Sequence, residues 1–165
     1  MENQNHNSGS LTIIVVDTNI LVKGFIEKDL MTLLTFLNTF YNRKSQVLPV
    51  DYSDVVMKEY RDNMKDDPLF QKWFVHMQTN NQIQYVDGNL DQKVRKRLLE
   101  LGFHEETDQT FVAVTLNSGG VIVTEDSDYG KGKEEKAAEK QKVLNYLTEE
   151  LGLQVYDVNE ICSMI

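Results

Sequence analysis

The sequence predicts an α/β protein built around a mainly parallel sheet. Three observations carry this. Five short apolar runs read as strands, helical periodicity fills most of the intervals between them, and those intervals are long enough for right-handed crossovers. The first run, "LTIIVV" (residues 11–16), has four consecutive branched apolar residues and reads as a central strand buried on both faces. A helix is expected from Asn19 to about Tyr41. The second run is "SQVLPV", followed by helices from Ser53 to about Lys65 and from Leu69 to Gln78. After "IQYV" come helices over Asn89–Leu101 and Thr107–Asn117, the second of which, "FVAVTL", is apolar nearly all round. "VIVT" is the fourth strand and precedes a helix over Glu134–Leu151; "LQVYDV" is the fifth and leads into a short last helix after Asp157. In such open sheets ligands bind outside the carboxyl ends of the strands.

At 165 residues and 41% hydrophobic content, the chain has the size and core of one ordinary domain. That domain is placed at residues 11–165, and the polar opening "MENQNHNSGS" (residues 1–10) is expected to be a disordered tail. It lacks the basic start and apolar core of a signal peptide, and no apolar run is long enough to cross a bilayer. The one cysteine, Cys162, excludes an internal disulfide and a cysteine-based zinc site. Together these features predict a cytoplasmic protein with no membrane partner. The net charge of −9 argues against broad attraction to nucleic acid, but a centre made of carboxylates is itself acidic until metal fills it.

The candidate chemistry lies in carboxylates at strand ends. Asp17 follows directly on the buried "IIVV" run, where an ionised group is costly unless paired or bound to metal. Asp17, Thr18 and Asn19 are all good helix caps, so Thr18 or Asn19 can cap the next helix and leave Asp17 spare. Glu59 falls one turn beyond Val55 and Val56 on the apolar face of its helix, with no basic residue three or four positions away. Asp108 opens the buried helix, while Glu105 and Glu106 before it read as complements to the helix dipole. The fourth strand ends in Thr124, Glu125, Asp126, Ser127 and Asp128. Carboxylates converging from several strand ends repel, so they imply a cation. With oxygen ligands and no Cys/His cluster, that cation is a hard one, Mg²⁺ or Mn²⁺.

In that order on an alternating α/β chain, "VVDTNILV", "SDVVMKEY", "TDQTFVAV" and "VIVTEDSDY" resemble the PIN-domain nucleases. The resemblance implies a PIN-like three-layer α/β/α fold with a central, mainly parallel sheet of about five strands. It implies Mg²⁺- or Mn²⁺-dependent hydrolysis of single-stranded RNA that leaves 5′-phosphate and 3′-hydroxyl ends. It carries over Asp17, Glu59, Asp108 and Asp126 as the acidic quartet, with Thr18, Asn19 and Thr124 as supporting polar residues. Asp128 matches a further acidic position, so the choice between Asp126 and Asp128 as metal ligand stays open. Two alternatives stay open as well: a non-catalytic PIN-like module that binds RNA or protein, and a toxin ribonuclease paired with an antitoxin. A homodimer is also compatible with the sequence.

Other signals are weaker. "GKGK" (residues 130–133) lacks the Walker pattern, and Asn19 stands where a haloacid-dehalogenase phosphatase needs a second aspartate. His76 and His104 have no ligand spacing, and the aromatic residues Phe36, Phe40, Tyr41, Phe70, Trp73 and Phe74 fall at helical spacings suited to core. "KVRKR" (residues 93–97) reads as the solvated face of its helix. Lys131 and Lys133, set among glycines beside the fourth acidic motif, are the candidates for guiding an RNA backbone.

Overall fold

A computed structural model describes residues 12–165, and the expected N-terminal tail lies outside the described residues. Five strands form: β1 (Ile14–Val16), β2 (Leu48–Asp51), β3 (Ile83–Val86), β4 (Val121–Val123) and β5 (Val155–Tyr156). β1, β4 and β5 make one parallel ladder and β2 with β3 another. A parallel bridge between Ile13 and Val47 joins the two, the Ile14 N–H donating to the Val47 carbonyl at 3.1 Å. The spatial order is therefore β3-β2-β1-β4-β5, with β1 in the middle and fully buried as its unbroken apolar run requires. Helices pack on the sheet to give the three-layer α/β/α arrangement expected from the alternating pattern.

Two expected helices are each broken, for local reasons. The span expected over Asn19–Tyr41 divides into α1 (Thr18–Leu21), continued as a wider π-type turn Val22–Ile26, and a second stretch Met31–Leu37 that passes into α2 (Asn38–Asn42). Between them Lys28 takes a left-handed φ of 60°, and the Asp29 carboxylate accepts from the Thr32 N–H at 2.9 Å and its hydroxyl at 2.7 Å. A side-chain cap thus starts a new helix inside a run whose periodicity alone would continue the old one. The span expected over Glu134–Leu151 divides at Lys140. There Gln141 donates to the carbonyls of Gly130 and Ala137, turning the chain against the preceding loop.

The remaining helices match expectation closely. They are α3 (Val55–Met64), α4 (Pro68–Thr79), α5 (Gln92–Glu100), α6 (Glu106–Ser118) and, beyond α7 (Glu135–Glu139) and α8 (Gln141–Asn145, continued by Tyr146–Glu150) of the divided span, α9 (Val158–Cys162). α5 starts at Gln92 rather than Asn89 because the Asp91 carboxylate caps the Lys93 N–H at 2.8 Å. α4 carries Pro68 in its first turn, where no N–H is needed, behind an Asp67 cap on Phe70.

α6 packs across β1 to β4 and against α3, buried through Phe111, Val112, Ala113, Val114 and Thr115. Phe36, Phe40, Phe70 and Trp73 fill the core as their spacing suggests. Tyr41 is the exception: it is partly exposed and stacks on His76 with centroids 3.6 Å apart, which gives His76 a structural place. No helix among the described residues is long and apolar enough to cross a membrane.

Candidate metal centre

β1 and β4 are neighbours, so their carboxyl ends bring the first and fourth acidic motifs together. The Asp17 N–H continues the ladder by donating to the Val123 carbonyl at 3.0 Å. Thr124, fully buried, then locks the two ends side to side: its hydroxyl donates to Asp17 Oδ2 at 2.7 Å and accepts from the Asp126 N–H at 3.0 Å. The Asp126 carboxylate accepts from the Asp128 N–H at 2.8 Å and opens a single 3-10 turn, Ser127–Tyr129. Tyr129, buried in that turn, donates its hydroxyl to the Asp108 carbonyl at 3.2 Å, holding the first turn of α6 against the strand ends.

α3 comes up to the same place. Buried Tyr60 donates to the Val16 carbonyl at 2.5 Å, one residue before Asp17, and this fixes the half-buried Glu59 next to it in the chain. Glu59 accepts from Asn63 at 3.2 Å and raises the pKa of Asp17, so the two carboxylates feel one another.

The oxygens of Asp108, Asp126 and Asp128 come within 4.8 Å of one another, the one group among the described residues with the reach to hold an ion. Asp17 stands beside this triad rather than in it, one oxygen taken by Thr124. Burial pushes its carboxyl up to about 7, against the hydrogen bond from Thr124, and the charges of Asp126 and Glu59 add to the rise. Asp108 is pushed up to about 8, by burial and then by Asp17, Asp126, Asp128 and Glu105. The structure therefore groups Asp108, Asp126 and Asp128, ties Asp17 to Asp126 through Thr124, and leaves Glu59 outside the group, felt at Asp17 through its charge alone.

A hard divalent cation suits this set. The donors are all oxygen, the triad is compact, and two carboxyls are held above their ordinary range by burial first and by acidic neighbours second, both of which a bound cation offsets. The buried hydroxyl of Thr18 has no hydrogen-bond partner among the described residues, leaving a polar atom at the start of α1 for a water or ligand. Asp17 makes no capping hydrogen bond to α1, and the Asn19 side-chain oxygen accepts only a long contact, 3.5 Å, from the Glu125 N–H.

The two lysines expected to guide RNA are placed differently from one another. Lys131 is mostly buried and forms a two-pronged ion pair with Glu160 at 3.0 and 3.1 Å, whereas Lys133 is exposed. Gly132 is needed for packing: its φ is +83°, and a Cβ there would collide with the Glu125 carbonyl oxygen. Sequence reasoning missed Lys136, whose ammonium pairs with Asp128, and Lys23, which pairs with Glu125 at 2.7 Å. No spacing rule connects either lysine to its acid, since both pairs depend on how loops fold back over the strand ends.

The chain thus has a PIN-like three-layer α/β/α fold with an acidic cluster at the carboxyl edge of its sheet. Among solved structures the chain is similar to one described as "VapBC2 from Rickettsia felis bound to a DNA fragment from their promoter". The match covers 88% of this chain and 98% of that one, with a TM-score of 0.53 and 11% identity, and it supports the fold. No protein-family model and no curated protein matches the chain.

Proposed function

We propose that the protein is a metal-dependent ribonuclease acting on single-stranded RNA. The observation that carries this reading is the oxygen-only triad of Asp108, Asp126 and Asp128 with Asp17 beside it, the carboxyls of Asp17 and Asp108 raised to about 7 and 8, at the sheet edge where α/β folds bind ligands. Mg²⁺ or Mn²⁺ bound there supplies Lewis-acid polarisation of the phosphodiester and a more acidic water.

The chain's own residues do the rest. Asp108 and Asp126, with Asp128 or Asp17, hold the ion. Thr124 keeps Asp17 and Asp126 in register, and Glu59 is the spare carboxylate that takes the proton of the attacking water. The water oxygen joins phosphorus, the bond from phosphorus to the 3′-oxygen breaks, and that oxygen takes a proton from solvent water, giving 5′-phosphate and 3′-hydroxyl ends. Purified protein incubated with labelled single-stranded RNA, single-stranded DNA and duplexes, in Mn²⁺, Mg²⁺ or EDTA, tests the reading. Cleavage of the single-stranded RNA, lost in EDTA and in Asp126→Asn, is the expected result; no cleavage with either metal returns the protein to a non-catalytic binding role.

A second reading, a toxin-type ribonuclease held by a small partner protein, has its own support. An apolar groove of about 300 Å³ runs between Phe25, Leu33, Leu34, Leu37 and Trp73, and Leu30, Met31 and Leu34 are exposed along this part of the chain. Growth arrest on expression that an adjacent short reading frame relieves, and that Asp126→Asn abolishes, distinguishes it.

A further inference from the structure

A cavity of about 250 Å³ opens directly beside the triad and carries both signs of charge. Its lining includes Asp108, Asp128 and Glu105 together with His104, Lys136 and Lys140. Lys140 is committed to the fold, its ammonium donating to the Gly102 carbonyl at 2.7 Å. Lys136 is not so committed. Its side chain is 49% exposed, it sits on the short helix α7, and its one ion pair is to Asp128. Asp128 is at the same time a member of the triad, so Lys136 and a divalent ion compete for the same carboxylate.

We propose that Lys136 is the resident counter-ion of the metal-free centre and that, when Asp128 turns to a divalent ion, the released ammonium binds a backbone phosphate of the RNA in the adjoining cavity. The exchange leaves neither Asp128 nor Lys136 without a counter-charge at either stage. Without metal the ammonium offsets part of the repulsion among Asp108, Asp126 and Asp128; with metal the ion does so, and the ammonium meets the phosphate brought in by the chain being cut. The cavity volume equals that of about eight waters at roughly 30 Å³ each, room for a phosphate group and its remaining hydration. This role falls to Lys136 because Lys131 is held by Glu160.

The inference rests on the metal-dependent reading, and two readouts separate them. Mn²⁺ is titrated calorimetrically into the wild-type protein, Lys136→Gln and Lys133→Gln without RNA. Labelled single-stranded RNA is then bound to each in Ca²⁺ over a range of salt. Lys136→Gln is expected to bind Mn²⁺ several-fold more tightly, because its competitor is gone. It should also bind RNA several-fold more weakly, with a salt slope shallower by about 0.7, the value of one phosphate contact on a single strand. Lys133→Gln should leave the Mn²⁺ affinity unchanged.

A purely structural Lys136 would not move the two affinities in opposite directions. Unchanged or weaker Mn²⁺ binding by Lys136→Gln, or unchanged RNA binding, overturns the exchange while leaving the metal centre standing. Absence of Mn²⁺ binding by the wild-type protein overturns the centre itself.

Discussion

β1 and β2 lie side by side and each ends in a buried aspartate, yet the two carboxylates have opposite circumstances. Asp51 is 1% exposed, and both of its oxygens are satisfied: one accepts from the Val55 N–H at 3.0 Å, the other from the Val56 N–H at 2.8 Å. It caps α3, and nothing is left over. Asp17 is 4% exposed and has no side-chain cap bond into α1 beyond a backbone contact with Thr18; one oxygen takes the Thr124 hydroxyl, and the charges of Asp126 and Glu59 press on it. The same residue type at the same place in the strand is a structural cap in one case and a member of an acidic cluster in the other. What separates them is the company each keeps. Asp51 faces the amides of its own chain and the close backbone of Gly88, whose added Cβ would lie 2.6 Å from the Asp51 Cβ, while Asp17 faces the end of β4.

The largest expected effect of breaking this contrast is on cleavage. Asp17→Asn or Asp126→Asn should lower metal-dependent RNA cleavage by more than the roughly 10–100-fold that loss of an outer-shell partner costs a metal site. Both variants should remain folded by circular dichroism, since the amide keeps the shape. Wild-type rates in the double variant would dissolve the distinction between the two aspartates.

Next in size is the reciprocal change. Asp51→Asn turns an acceptor of two N–H groups into one acceptor and one donor, and so leaves a buried donor facing a donor. That costs about 1–3 kcal/mol, a fall in Tm of about 3–10 °C for a chain of this length. Cleavage at a temperature where the variant is folded should be retained. A Tm equal to wild type would show that the cap contributes little.

The contrast is also legible in pH. Asp17 and Asp108 have folded values of about 7 and 8 against an ordinary 3.8, so their neutral forms favour the fold. That contribution is fully present below about pH 4 and is lost as pH rises through 7 to 8. In EDTA the Tm should therefore fall between pH 5 and pH 8.5. Asp17→Asn should flatten the fall and raise the Tm at pH 8 by about 3–6 °C. Mn²⁺ competes with these protons, so it should raise the wild-type Tm at pH 8 and do so less at pH 5. A Tm that climbs over that range in EDTA would contradict the burial and repulsion that raise the two carboxyls.

The smallest effect is expected at Tyr60, which ties α3 to the end of β1. Tyr60→Phe removes one buried hydrogen bond worth about 1 kcal/mol and loosens Glu59, so a modest loss of cleavage should accompany a Tm drop of about 2–4 °C.

Much of this was legible in the sequence, for identifiable reasons. Strands such as Ile83–Val86 and Val121–Val123 follow from short branched runs, and the buried helix α6 follows from an apolar stretch too uniform to face water. Strand ends and the opening of a buried helix pointed to Asp17, Asp108 and the acids after β4, of which Asp108, Asp126 and Asp128 lie within 4.8 Å of one another, while Glu59 was named in the quartet by the family resemblance. What escaped depends on contacts between distant segments. Asp51 looks in sequence like any polar residue after a strand, and its role appears only when Val55 and Val56 turn back over it. Lys131 and Lys136 sit on the same lysine-rich stretch, and only the folding of that stretch over the 3-10 turn assigns one to Glu160 and the other to Asp128. The helix breaks at Asp29 and Lys140 have a local origin instead, the Asp29 cap on Thr32 and the side-chain bonds of Gln141, since periodicity measures faces and is blind to such bonds.

The contrast between the two aspartates reduces to one measurement, a calorimetric titration of Mn²⁺ at pH 8 into the wild-type protein, Asp17→Asn and Asp51→Asn, each below its own melting temperature. The wild-type protein and Asp51→Asn should bind Mn²⁺ alike, and Asp17→Asn should bind it at least tenfold more weakly. No binding by the wild-type protein, or equal weakening by the two substitutions, would contradict the assignment of the β1 end to a metal centre and the β2 end to a cap.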